Sequence, residues 1–151
     1  MGFSRPSCDI IPYHDLPDPL QKGIRPTSRG ERGASMENGI EKCLFCRIAK
    51  GFEKADVVYS DEDVIVIRDI HPVAPVHLLV IPRVHVESAD MVADPRIWSS
   101  VMGAAVNVAR EMGLGPDGYR LVVNCGAGAG QTVLHLHVHL LAGRSLGWPP
   151  G

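Results

Sequence analysis

The sequence predicts an α+β domain: a five-stranded antiparallel sheet with one short and one long helix. Three observations predict it. Short β-branched runs are separated by turn-length breaks, a single long segment carries helical periodicity, and helices do not alternate with strands as in a doubly wound fold. Length agrees, because 151 residues at 45% hydrophobic content supply one core and not two comfortable ones.

Residues 1–38 are expected to be a disordered N-terminal extension, since the chain through Ser35 is dense in Pro, Gly, Ser, Arg and Asp and has no sustained periodicity. Asp9, Asp15, Asp18 and Glu31 dilute the acid-poor character of a transit peptide. Met36 opens MENGIEKCLFCRI, where ordered patterning begins, and is a candidate alternative start; the folded domain is expected over 39–151. Leu44 to Lys50 suits a short helix with Leu44, Phe45 and Ile48 on one face and Gly51 as its stop. Val57 to Ser60 and Val64 to Arg68 read as a hairpin across Asp61-Glu62-Asp63, and His77 to Ile81 as a third strand bounded by Pro75 and Pro82. Asp94-Pro95 is a cap followed by proline at the first helical position; Ile97, Val101, Ala104, Ala105, Val108 and Met112 then recur at helical spacing until Gly113. Tyr119 to Asn124 makes the fourth strand, the loop Gly126 to Thr132 turns the chain, and Leu134 to Leu141 makes the fifth.

A formal charge of -2 gives no basic excess for tracking nucleic acid or an anionic membrane, so a small soluble partner is expected. No apolar run reaches spanning length, and residues 1–30 lack the apolar core of a secretory signal, which predicts a cytoplasmic protein. Cys43-Leu-Phe-Cys46 fits a reducing compartment, where such a pair means metal or redox chemistry; Cys8 and Cys125 have no evident partners.

The stretch HLHVHLL puts His135, His137 and His139 at alternate positions, so on a strand they share one face about 7 Å apart. A metal-binding face, a pH-responsive cluster and a phosphate-processing site all suit three imidazoles. The preceding loop Gly126-Ala-Gly-Ala-Gly130-Gln131-Thr132 favours phosphate, because its backbone N–H groups can approach an anion and Thr132 adds a hydroxyl. It is not a P-loop, since no lysine follows and the glycines lead into a strand. In a phosphate site the central ring is best placed to attack, in its neutral form, while flanking rings donate to phosphoryl oxygens and pass a proton to the leaving group.

These residues, His-φ-His-φ-His-φ-φ after Gly-Gln-Thr, resemble the histidine triad (HIT) superfamily of nucleotide hydrolases and transferases, over about Cys43 to Gly151. The ending GRSLGWPPG looks like the histidine triad nucleotide-binding (Hint) branch, whose members are similar to purine nucleoside phosphoramidases. Uridylyltransferase relatives carry glutamine in place of the third histidine, which His139 argues against. The resemblance implies a homodimer with a ten-stranded sheet. It implies that His137 is the nucleophile, forming a covalent nucleotidyl intermediate, and that His139, Thr132 and the backbone of Gly130 and Gln131 contact phosphate, with His135 and His77 completing the catalytic set. Asp69 matches the carboxylate that takes the ribose hydroxyls, Asn124 a polar group near the α-phosphate, and Leu44, Phe45, Ile48, Ile67, Ile70 and Leu79 the walls of the base pocket. Trp148 belongs to the tail that favours the amide substrate. Asp69 has a plainer reading as a turn cap before Pro72, and each wall residue as ordinary core. Arg68 and Ile67 stand where relatives of that branch carry a histidine and an aromatic.

Some bacterial proteins of this superfamily bind zinc through a CxxC, a histidine on the third strand and the first triad histidine. The resemblance therefore implies a structural zinc on Cys43, Cys46, His77 and His135, closed to water and pinning the first helix to the sheet. A redox CxxC and two buried free thiols are the rival readings. His71 and His85 match no role and are expected to be ordinary surface residues. The function implied is hydrolysis of nucleoside 5'-phosphoramidates with no catalytic cofactor. The alternatives are a dinucleoside polyphosphate hydrolase, and a nucleotide-binding or interaction module with little turnover.

Overall fold

A computed structural model describes residues 42–150. The extension expected over 1–38, with Met36 and Cys8, lies outside the described residues. The elements run α1 (Leu44–Ala49), β1 (Val57–Ser60), β2 (Val64–Arg68), β3 (Val76–Pro82), α2 (Pro95–Glu111), β4 (Tyr119–Val122) and β5 (Val138–Ala142), with short 3-10 turns at Ala89–Met91 and Ala127–Ala129. The sheet has five strands in the order β1-β2-β3-β5-β4, every neighbouring pair antiparallel. This is the architecture expected. Among the described residues no helix is long and apolar enough to cross a membrane.

Local chemistry sets the boundaries. Asp61 closes the first hairpin by accepting the N–H groups of Asp63 and Val64 at 2.9 and 2.7 Å. Asp94 caps α2 through the N–H of Arg96 at 2.9 Å, ahead of Pro95 at the first helical position. The fifth strand departs from expectation, for it starts only at Val138 and leaves His135 and His137 in the approach to it. There the His135 N–H turns back to Val133 O at 2.8 Å, and Leu136 donates to Val86 O at 2.6 Å, so the backbone bonds to a loop instead of the β3 ladder.

Alternation along the strands gives the sheet two apolar faces. Val64, Val66, Leu78, Val80, Val138 and Leu140 pack under α2 against Val101, Ala104, Ala105 and Val108. Ile65, Ile67, Leu79 and Ile81 point the other way and are covered by Phe45 and Ile48 of α1. The second face also carries the histidines, so α1 lies beside them. One glycine is packed tightly where β5 ends: Gly143 has φ +87°, and a Cβ there would sit 2.9 Å from Pro75 Cβ. Gly143→Ala is expected to cost about 1–3 kcal/mol from backbone strain and overpacking, read as a lower thermal midpoint.

Candidate active site and metal centre

Strand register decides which histidines meet. Leu79 pairs with His139 and His77 with Leu141, which makes His77 and His139 diagonal neighbours on the face that also carries Leu79. Their tautomers follow from a backbone donor. Val73 N–H points to His77 Nδ1 at 3.2 Å, so a neutral His77 carries its hydrogen on Nε2. That Nε2 lies 2.9 Å from His139 Nδ1 and 3.3 Å from Asp69 Oδ2. His139 Nδ1 thus accepts, and its own hydrogen sits on Nε2. Asp69 Oδ1 accepts the N–H of His71 at 2.8 Å.

Burial is the main cause that lowers the pKa of both rings, against the raising effect of Asp69. His139 is pushed down to about 4, with the His137 and His77 rings adding to the burial effect. In the ligand-free protein His139 is therefore a neutral N–H donor at pH 7. The linkage has a definite sign. The unfolded chain binds a proton at His139 near the ordinary value of 6.5, well above its value in the fold, so the unfolded state gains protons first as pH falls. The contribution of His139 to stability is complete above about pH 6.5 and is lost as pH falls toward 4. Thermal midpoints measured from pH 7 to 4 are expected to decline, less steeply in His139→Gln.

His137 is held differently. Its Nδ1 donates to the His135 carbonyl at 2.7 Å, which leaves a lone pair on Nε2. Among the described residues Nε2 meets no hydrogen-bond partner, and the residue is 6% exposed. The ring centroid lies 5.0 Å from that of His139 and meets the Phe45 ring edge-on at 5.2 Å. An unpartnered imidazole lone pair beside an imidazole N–H donor suits nucleophilic attack with proton delivery.

The glycine loop leads into these rings. Gly126 and Gly130 adopt φ +79° and +82°, in the left-handed range that favours glycine. Gln131, expected to meet phosphate through its backbone, has a buried side chain spent on the loop: Oε1 accepts Gly126 N–H at 2.9 Å, and Nε2 donates to Glu87 O and Val133 O. Thr132 and Gly130 are exposed and Asn124 is half-buried. Of the expected base-pocket walls, Phe45, Ile48, Ile67 and Leu79 form one buried cluster, joined by Ile65 and Ile81. Those two were legible from strand alternation. Leu44 and Ile70 are exposed instead, and Trp148 stands exposed on a tail whose Gly147 carbonyl accepts from Arg120.

The metal set changes by one residue. The donor atoms of Cys43, Cys46, His85 and His135 all lie within 4.8 Å of one another, whereas His77 groups with Asp69 and His139. Continuing the β3–β5 register puts His135 opposite residue 83. His77 lies six positions away, about 20 Å along an extended strand, and cannot join the cysteines. His85, expected to be an ordinary surface residue, leaves the end of β3 and reaches them.

Chemistry and distance both fit a divalent ion. Bonds of 2.0–2.3 Å to nitrogen and sulfur imply tetrahedron edges of roughly 3.3–3.8 Å. Observed separations are 3.4 Å for Cys43 Sγ to His135 Nδ1, 3.5 Å for Cys46 Sγ to His135 Nδ1, 3.2 Å for Cys46 Sγ to His85 Nδ1 and 3.3 Å between the two Nδ1 atoms. His135 Nε2 donates to Pro82 O at 2.8 Å, which turns an unprotonated Nδ1 toward the sulfurs. Burial holds that ring neutral, with its pKa down to about 4. Burial and then Cys43 push the Cys46 thiol up to about 11, and a bound cation is what would make such a thiol a thiolate.

Comparison with known proteins agrees with this architecture. The HIT domain family model matches residues 50–146. A HIT family hydrolase from Legionella pneumophila Philadelphia 1 superposes with a TM-score of 0.71 at 45% identity, covering 73% of this chain and all of that one. A zinc-bound histidine triad family protein from Mycobacterium smegmatis gives a TM-score of 0.65 at 33% identity, over 75% of this chain and 85% of its own. A 14 kDa zinc-binding protein from Zea mays is 42% identical over 112 residues, which are 72% of this chain, and 87% of that protein is covered.

Proposed function

Because the chain belongs to the HIT domain family, we propose that it is a nucleotide-binding hydrolase of the Hint branch, cleaving the P–N bond of nucleoside 5'-phosphoramidates. The observation that carries the proposal is the His137 tautomer, with Nδ1–H tied to the His135 carbonyl and Nε2 left with its lone pair and no partner among the described residues. The GRSLGWPPG ending supports the branch.

In this reading His137 Nε2 attacks the α-phosphorus, a P–N bond to His137 forms, and the P–N bond to the leaving amine breaks. Anionic phosphate nearby opposes the downward shift of His139 and favours its protonated form, whose Nε2–H passes to the departing amine as that bond breaks; the ring takes a proton back from the water that attacks next. Water then attacks the same phosphorus, the bond to His137 breaks, and nucleoside monophosphate leaves. The net reaction consumes one water and yields monophosphate and amine. Asp69 takes the ribose hydroxyls, Thr132 and the loop backbone meet the phosphate, Asn124 stands near the α-phosphate, and the Phe45, Ile48, Ile67 and Leu79 wall receives a purine.

Zinc on Cys43, Cys46, His85 and His135 would be structural, since four protein donors leave no position for water. A cytoplasmic homodimer, with the domain over 39–151, completes the proposal. Phosphorus NMR with adenosine 5'-phosphoramidate tests it: the expected result is conversion to AMP. Cleavage of a diadenosine polyphosphate with the phosphoramidate left intact would overturn the substrate assignment.

A further inference from the structure

Phe45 stands between the two cysteines in sequence and between the two centres in space. Its ring meets His135 edge-on at 5.9 Å and His137 at 5.2 Å, and it is buried with Ile48 against Ile65, Ile67, Leu79 and Ile81. The helix that carries it has six residues, no side-chain cap at Cys43 and no acidic residue in its first turn. Such a helix does not persist alone. Three attachments hold it: the apolar cluster, the four-donor centre reached through Cys43 and Cys46, and Arg83, whose Nη1 donates to the Ala49 carbonyl at 2.6 Å. The backbone adds a second link, because His135 gives its ring to the centre and its carbonyl to His137 Nδ1–H.

We propose that Phe45 is a positioning residue that couples the cysteine–histidine centre to the nucleotide pocket, so that a divalent metal and a purine nucleotide each bind more tightly when the other is bound. The inference rests on the nucleotide reading above. A metal on Cys43 and Cys46 fixes α1, and with it the Phe45 edge against His137 and the apolar wall. A base laid on that wall holds α1 down and hinders its lifting away from the metal. Linkage makes the effect reciprocal. Without metal, packing and the Arg83 bond at the far end of α1 remain, and conformers with the Cys43–Phe45 end lifted lose the wall and the brace on His137 together.

The test follows zinc removal from the zinc-loaded full chain by excess chromophoric chelator, with and without saturating AMP, in wild type and Phe45→Leu. AMP is expected to slow zinc loss from wild type on the order of tenfold, and Phe45→Leu to bring that ratio near one while still holding one zinc. A role confined to packing would speed zinc loss by the same factor with and without AMP; an unchanged ratio would overturn the assignment to Phe45. Should Phe45→Leu fail to hold metal, Phe45→Met, which keeps more of the buried volume, takes its place. Equal zinc-loss rates in AMP-bound and free wild type would overturn the coupling alone. Failure of zinc-loaded wild type to bind AMP would instead overturn the nucleotide reading, and the coupling with it.

Discussion

His137→Ala is expected to lower turnover of adenosine 5'-phosphoramidate by about 10³-fold or more while AMP still binds within a few-fold of wild type. The two effects separate because the ring contributes a nucleophilic lone pair, whereas the wall, the loop backbone and His139 are built from other residues. Removing a 6% exposed ring also leaves a cavity beside Phe45, so some loss of thermal stability accompanies the change. The zinc content of the variant should be unchanged, since the centre uses the ring of His135 and not that of His137. Turnover near the wild-type rate in a folded His137→Ala protein would remove the covalent mechanism.

The second large effect concerns His85. Metal analysis of purified protein is expected to find one zinc per chain in wild type and in His77→Ala, and little in His85→Ala. Structural zinc supplies folding free energy directly, of order 10 kcal/mol in small zinc domains, and three remaining donors hold the ion far less tightly than four. His85→Ala also leaves Cys46 buried beside Cys43 and His135 without the cation that would turn its thiol into a thiolate ligand. A marked drop in thermal midpoint should follow, with a smaller one in His77→Ala. Zinc retained by His85→Ala and lost from His77→Ala would restore the ligand set expected from sequence.

That exchange of one histidine for another marks where the sequence stops being legible. The β-branched run at Val64 to Arg68 and the helical run from Ile97 to Met112 state their own conformations, and Asp61 and Asp94 mark where chains turn or helices begin. The five strands and two helices follow from such local signals. Contacts between distant elements do not. His85 meets His135 across fifty positions, and only the β3–β5 register reveals that the first triad histidine sits near the end of β3 and far from His77. The register is set by packing of two strands under α2, which no local pattern encodes.

The triad itself was half legible. Alternation places His137 and His139 beside each other, but it also extends the strand back to Leu134, where the backbone in fact bonds to Val133 and Val86. That departure lets His135 serve the cysteines with its ring and His137 with its carbonyl. The inward role of the Gln131 side chain was not legible either, because its hydrogen bonds run to Gly126, Glu87 and Val133 and depend on how the loop folds back. The charge state of His139 was out of reach as well, because it depends on burial and on His77 and His137 as neighbours in space.

The most direct test of the central claim is intact-protein and peptide mass spectrometry after rapid mixing with adenosine 5'-phosphoramidate and an alkaline denaturing quench, in which a phosphorus–nitrogen bond survives. The account predicts a single adenylyl adduct on the peptide containing His137, absent from His137→Ala. Steady turnover with no adduct at any mixing time, or an adduct on another residue, would contradict it.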